Sequence, residues 1–305
     1  MKIKQIKIYV TLVILMAGMP YVTAQDWTQY LGPKRNGTSD QKGILRTWPR
    51  NGPEVLWTAE VGIGFGGPVV KDGKVYLLDR DDKVGDKMRC FDLSSGKELW
   101  NFGYPAPGSV MFPGSRSVPA LDGNRIYSCG PFGNLYCIDI NIHKPVWNKN
   151  IWTDYGGSEI PKWAITQCPL VYNNLIILAS QAPQAGVVAY DKLNGNVKWT
   201  TKSLGPVGYV SPEIIKVDKE DHLVMITASA GRGTSASGGK VVGIEPNTGK
   251  ILWEYTNWQC GIPVPGAVDA GEGRALITGG YNAGAAMIKI VKKADGTYGV
   301  TELYK

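Results

Sequence analysis

The sequence predicts an all-β protein, and three observations carry that prediction. A turn-and-strand unit, clearest in Asp92-Leu93-Ser94-Ser95-Gly96-Lys97-Glu98-Leu99-Trp100, recurs with its tryptophan always eight residues after an acid: Asp139 leads to Trp147, Asp191 to Trp199 and Glu245 to Trp253. A short alternating run precedes each acid, for example Asn134-Leu135-Tyr136-Cys137-Ile138 and Lys240-Val241-Val242-Gly243-Ile244, with the period of two expected of strands. The 305 residues include 39 glycines and 19 prolines, as many short strands and tight turns require, within an ordinary globular apolar share of 43%.

Each repeated unit reads as a hairpin. The acid can accept hydrogen bonds from the turn's own amides, and Gly96, Gly195 and Gly249 can take positive φ four residues before their tryptophans. The second copy carries His143 at that position. One hairpin is marginal alone, so a series of them must stack.

Residues 1–24 have the composition of a secretory signal: Lys2, Lys4 and Lys7, an apolar core from Ile8 to Ala17, and a Val22-Thr23-Ala24 exit. That run is too short to span a bilayer, and no later stretch nears the ~18 consecutive apolar residues a membrane helix needs. The mature chain is therefore expected to be exported and soluble, periplasmic or extracellular. Three of the seven net positive charges belong to the signal lysines, and the other cations are scattered through turns. This excludes a nucleic-acid footprint.

Residues 25–57 read as an N-terminal strap ending in a lone strand, Glu54-Val55-Leu56-Trp57, that lacks a first half. From there the tryptophans at 57, 100, 147, 199 and 253 are spaced by 43, 47, 52 and 54 residues, the length of a four-stranded propeller blade with its loops. Blades are accordingly expected at about 58–100, 101–147, 148–199, 200–253 and 254–304 of one domain, the last ending in Tyr304 as the aromatic in the tryptophan position. Asp72-Gly73 and Asp122-Gly123 mark the earlier hairpin of the first two units. Pro68, Pro119, Pro169, Pro212 and Pro265 open the first strands, where no ladder bond is lost.

The Asp-x-x-Thr-Gly-Lys-x-x-Trp pattern, best seen in Glu245-Pro246-Asn247-Thr248-Gly249-Lys250-Ile251-Leu252-Trp253, resembles the pyrroloquinoline-quinone (PQQ) repeat propellers over nearly all the mature chain. The lead-in, with Trp27, Gly32-Pro33, Trp48-Pro49 and Gly52-Pro53, is similar to exported propeller scaffold proteins of the outer-membrane assembly type. The resemblance implies a family-typical eight-bladed ring, of which about five blades fall within this sequence and leave the ring open. It also implies that Trp57, Trp100, Trp147, Trp199, Trp253 and Tyr304 dock between blades. A PQQ- and calcium-dependent dehydrogenase of alcohols or polymers is the alternative it raises. That family adds a vicinal cysteine pair, a calcium site of acid and amide side chains and a catalytic aspartate. This chain has no adjacent cysteines and no Cys-x-x-Cys-His haem attachment.

No catalytic residue, cofactor ligand or metal site is therefore assigned, and the expected role is a non-enzymatic scaffold binding a protein partner or small ligand at a propeller face. Loop ends entering the first strands would line a funnel around the axis, with Arg116, Ser117, Thr166, Gln167, Tyr209, Ser211, Tyr281 and Asn282 as candidates. Trp152, Tyr155, Trp163 and Trp258 fall outside the docking register and are candidates for exposed straps or ligand platforms in equal measure. His143 and His222, the two histidines, read as surface residues, the latter in a loop. Of five cysteines, Cys90 and Cys137 stand where other copies have Ala189 and Gly243 and read as packed thiols; Cys129 and Cys137 flank a turn and are the one pair considered for a disulfide. Gly62-Ile63-Gly64-Phe65-Gly66-Gly67 has dinucleotide-loop spacing, but a strand follows where a helix is required, and the Gly231 to Lys240 loop lacks the glycine and hydroxyl of a phosphate loop.

Overall fold

A computed structural model describes residues 25–230 and 237–305. The signal-like segment and residues 231–236 of the glycine-rich loop lie outside them. Five antiparallel sheets of four strands follow one another along the chain. The first holds β1 to β4, Val69–Lys71, Lys74–Asp81, Gly85–Asp92 and Glu98–Pro105. The second holds β5 to β8, Ala120–Asp122, Arg125–Cys129, Asn134–Asp139 and Lys144–Asn150. The third holds β9 to β12, Leu170–Tyr172, Leu175–Leu178, Val188–Asp191 and Val197–Thr200. The fourth holds β13 to β16, Glu213–Val217, Glu220–Ile226, Val241–Ile244 and Ile251–Tyr255, and the fifth β17 to β20, Val268–Gly271, Arg274–Gly279, Gly284–Lys292 and Tyr298–Tyr304. These are propeller blades, and the ring they begin is open. Between the tryptophan strand of one sheet and the start of the next lie 12 to 19 residues, and these form the lead-in to the next blade.

The apolar core is a set of slabs between consecutive blades. Leu175 and Ile177 of β10 face the fourth blade beside Leu223 and Met225, while Ile176 and Leu178 face the second beside Tyr127 and Leu135. Both faces of an inner strand are thus buried, which is why Leu175-Ile176-Ile177-Leu178 reads as a continuous apolar run.

Tryptophans seal the outer part of these slabs. An added Cβ at Gly96, Gly195 or Gly249 would lie 2.5–2.7 Å from the ring of Trp57, Trp147 or Trp199 respectively, so each indole lies flat on the turn of the following blade. Each of these indole N–H groups donates to a backbone carbonyl three residues before that glycine, at Leu93 (2.8 Å), Lys192 (3.2 Å) and Pro246 (3.2 Å). The turn acid shapes the platform: Asp92 accepts from Ser94 and Ser95, which pulls its carboxyl down to about 2. A bulge recurs where the tryptophan meets its partner, with Cys90 opposite Trp100, Cys137 opposite Trp147, Ala189 opposite Trp199 and Gly243 opposite Trp253. Tyr304 holds the same place opposite Met287, also at a bulge, yet its side chain is 56% exposed. Trp57 docks on the first blade from a segment, residues 54–61, that belongs to no sheet, and Val55 and Leu56 beside it are exposed.

Several local expectations are corrected. His222 lies in β14, not in a loop, and is fully buried with Val224 and Ile226 on the same side of the strand. Trp152 and Trp258 are buried rather than exposed, packed into the slabs between blades two and three and between four and five. The five cysteines are free thiols; Cys129 faces Leu135 across the β6–β7 ladder and Cys137 faces Tyr127, so the two do not meet.

The strap crosses the hub. Trp27 exchanges both backbone hydrogen bonds with Val70 of β1 at 2.8 Å, and Thr28 accepts from the Leu121 amide of β5 at 2.8 Å. Farther along, the buried Arg35 guanidinium donates to the Pro169 and Pro212 carbonyls and forks onto Glu213 of β13 at 3.2 and 3.3 Å. One short segment therefore ties together the innermost strands of four blades.

Candidate functional site

At the opening end of the innermost strands, the lead-ins converge on a cup of about 300 Å³. Its lining follows from the strand-opening prolines. Proline holds the residue before it extended, and an extended chain alternates sides. Val118, Cys168, Ser211 and Val264, each immediately before its proline, line the cup, and so do Phe65, Arg116 and Thr166 with Tyr209, each three before. The residues between, Ser117, Gln167 and Val210, point away and are buried. Trp163 completes the rim, and Tyr30 reaches the cup from the strap.

The rim is fastened to itself. Phe65 N–H donates to Ser115 O at 2.7 Å between the first and second lead-ins, and Val118 N–H reaches Cys168 Sγ at 3.3 Å between the second and third. Thr166 Oγ1 donates to Tyr209 O at 3.1 Å, Gln167 Nε2 to Gly208 O at 3.2 Å and Cys168 N–H to Ser211 Oγ at 2.9 Å, joining the third to the fourth. Tyr209 N–H donates to Pro263 O at 2.9 Å, joining the fourth to the fifth. A site whose frame is already hydrogen-bonded needs little ordering when something enters it.

Chemically the cup is aromatic with one charge. Phe65, Trp163, Tyr209 and Tyr30 supply rings, Trp163 and Tyr209 lying 5.1 Å apart between centroids. Arg116 is the one cation in the lining, and no carboxylate is present there. Its Nη2 donates to the Met111 and Phe112 carbonyls, and its Cζ stands 5.5 Å from the Phe65 ring centroid. Burial lowers the Arg116 pKa and raises those of Tyr209, Tyr30 and Cys168, each shift opposing the charged form. The Cys168 thiol is consequently no nucleophile at neutral pH.

Of the eight funnel candidates, Arg116, Thr166, Tyr209 and Ser211 come together in the cup. Ser117 and Gln167 belong to the opposite parity and support the rim from behind, while Tyr281 and Asn282 do not line it. They sit in the β18–β19 turn, at positive φ, with Tyr281 69% exposed. Tyr30, Phe65, Val118, Cys168 and Val264 were missed, although the register of one and three residues before a proline identifies four of them; Trp163, open between strap and ligand platform in the sequence, lies in the lining. In a second cavity, of about 440 Å³ beside Asp79, Arg80 and Asp82, these charges are already committed: Arg80 bonds Asp82 and Asp86 at 2.8 Å each and the carbonyls of Ala106 and Gly108, and Asp79 pairs with Arg89 at 2.9 Å.

Four-stranded blades, indole docking and a hub cup define a propeller of the PQQ-repeat class. The family model described as outer membrane protein assembly factor BamB matches residues 84–259, and the chain belongs to that family. It is 26% identical over 203 residues to the outer membrane protein assembly factor BamB of Bordetella pertussis, covering 66% of this chain and 44% of that one. It is 24% identical over 235 residues to the quinohemoprotein alcohol dehydrogenase ADH IIB of Pseudomonas putida, covering 62% of this chain and 33% of that one. The chain thus spans less than half the length of these curated relatives. Among solved structures, a europium-containing methanol dehydrogenase superposes with a TM-score of 0.54 at 14% identity, over 83% of this chain and 54% of that one, a likeness of fold.

The dehydrogenase relatives raise the question of a quinone. A calcium-held quinone needs carboxylate and amide donors at the hub; here the lining has no carboxylate, and the Gln167 amide is turned away, bonded to Gly208 O and the Thr166 amide. The cup's cysteine is single. Among the described residues, the hub does not fit that group.

Proposed function

We propose that this chain is an exported propeller that acts as a non-enzymatic binding scaffold, receiving a protein segment or small ligand at the hub cup. The observation that carries this reading is the chemistry of the lining: four aromatic rings, one arginine, no carboxylate and a frame of mutual hydrogen bonds. Such a surface can hold a group by burial and one ionic contact, and it offers no base, nucleophile or ligand set for turnover. Export rests on the N-terminal signal composition. Among the described residues, no helix is long and apolar enough to cross a membrane.

The rival is a PQQ-dependent dehydrogenase, and one preparation of the full chain tests both. With PQQ and calcium added, primary alcohols are expected to give no reduction of an artificial electron acceptor. With a photo-crosslinking residue at position 209, adducts are expected in the periplasm that are absent when the same residue stands at position 122, at the end of β5 away from the cup. Alcohol-dependent acceptor reduction, or equal adducts from both positions, would overturn the scaffold reading.

A further inference from the structure

We propose that the hub cup selects a monoanion, an aromatic group carrying a single carboxylate that pairs with Arg116. This rests on the scaffold reading above and names what the scaffold holds. The cup's size comes first: about 300 Å³ is the small end of the range for small-molecule sites, ~300–1,000 Å³, so one ring with a short chain fills it. The walls come next, since rings at Phe65, Trp163, Tyr209 and Tyr30 reward a flat apolar guest through offset and edge contacts.

Charge narrows the class. Arg116 is the lining's one cation; its Nη2 is held by the Met111 and Phe112 carbonyls and its Nε is buried, which leaves Nη1 as the donor for a guest. A guanidinium anchored through one nitrogen still carries its full charge, and a carboxylate oxygen accepts a charge-assisted hydrogen bond from the remaining Nη1. Neighbouring groups do not compensate the charge beforehand. Asp82 raises and Arg80 lowers its proton affinity, and both belong to the separate, internally paired cluster around Asp86. A second or third negative charge on the guest would meet no cation in the lining, so a polyanion loses more in desolvation than it gains.

The same chemistry can arrive as a free small acid or as the end of a polypeptide whose last residue is aromatic. Titration calorimetry on the full chain separates them, with 3-phenylpropionate, its neutral amide, and a tripeptide ending in phenylalanine as free acid or as amide. Each acid is expected to bind at least about tenfold tighter than its amide, and Arg116→Gln to abolish that preference while leaving the weak amide binding in place. Tighter binding of the peptide acid than of phenylpropionate identifies a chain end as the guest; the reverse identifies a free acid. Val264→Trp, which fills the cup without touching its charge, is expected to block every probe, and thermal melts of both variants check folding. Equal binding of acid and amide, or an unchanged preference in Arg116→Gln, overturns the monoanion proposal. Those outcomes leave the scaffold reading standing, since that reading falls on acceptor reduction or on the crosslinking control.

Discussion

The blade junctions built on glycine and those built on histidine solve one packing problem in two ways. At Trp57, Trp147 and Trp199 the indole lies on a glycine whose φ is 70–76°, and its N–H reaches a carbonyl of the same turn. The chain's two histidines stand at the two junctions where that glycine is missing. His143 occupies the glycine's own position at φ 57° and stacks on Trp100, ring centroids 4.7 Å apart at 16°. At the last junction, Trp253 bonds instead to Nδ1 of His222 in its own blade at 2.9 Å, and Tyr298 of the fifth blade packs edge-on against that imidazole at 4.5 Å. The two histidines thus answer the missing glycine differently: His143 lays a planar ring on its indole, whereas His222, tilted 38° from Trp253 with centroids 6.5 Å apart, supplies the acceptor that a turn carbonyl supplies elsewhere.

The largest effect should come from removing an indole. Trp147→Ala opens the slab between the second and third blades, where Trp147 is 8% exposed among Tyr127, Tyr190 and Ile176, and should cost ~3–5 kcal/mol in denaturant unfolding. Trp100→Ala, at a partly exposed indole against a histidine, should cost clearly less. Equal losses would mean that the two kinds of junction bury the same surface.

Next comes the platform itself. Gly195→Ala places a methyl 2.7 Å from the Trp147 ring at φ 72°. A left-handed alanine costs ~1–2 kcal/mol and overpacking a further ~1–3, so about 2–5 kcal/mol of stability should be lost. A near-neutral result would show that the indole can slide on its platform.

How much of this was legible in the sequence follows from what each feature depends on. The blade count and the docking register were legible because they are local: acid, glycine and tryptophan lie within nine residues, and even Tyr304 falls in the tryptophan's ladder position. The cup was half legible. Its strand-opening prolines were recognised, but no parity was assigned to the residues before them, so Ser117 and Gln167 were grouped with Arg116 and Thr166. His222 was misplaced because Lys219-Glu220-Asp221 reads as loop, whereas β14 begins at Glu220 and alternation turns the imidazole inward. The two-histidine pattern depends on contacts between segments 31–43 residues apart, which no local motif encodes.

A smaller effect is expected at the substituted platform. His143→Gly restores the consensus turn and relieves a left-handed non-glycine residue, worth ~1 kcal/mol, but loses a stacked ring worth ~0.5–1.5 kcal/mol. The unfolding midpoint should move little, while the emission of Trp100 should change as its face is uncovered. A stabilisation above ~2 kcal/mol would mean that the histidine is tolerated at a cost and contributes no contact of its own.

The subtlest difference between the two junction types is that only one of them titrates from within. The His222 imidazole accepts from Trp253 at Nδ1 and therefore carries its proton on Nε2; protonating Nδ1 sets two donors face to face. Burial is the leading cause that holds its pKa below the ordinary 6.5, with Lys292 of β19 acting the same way, and Glu220, Asp221 and Asp218 oppose it. Tyr298, which packs on the ring, also donates to Glu220, and Lys292 pairs with the same carboxylate. With the folded pKa depressed, the unfolded chain binds the extra proton first. The contribution of neutral His222 is therefore complete above 6.5 and declines as pH falls from there toward the folded value. His222→Gln keeps an acceptor for the indole and removes the titration, so the wild-type chain should lose stability relative to it on acidification through that window. Hydrogen exchange should place the loss in β19 and β20. A wild-type chain that instead gains on the glutamine variant as pH falls would mean that His222 is charged in the folded state, and that the carboxylates beside it outweigh its burial.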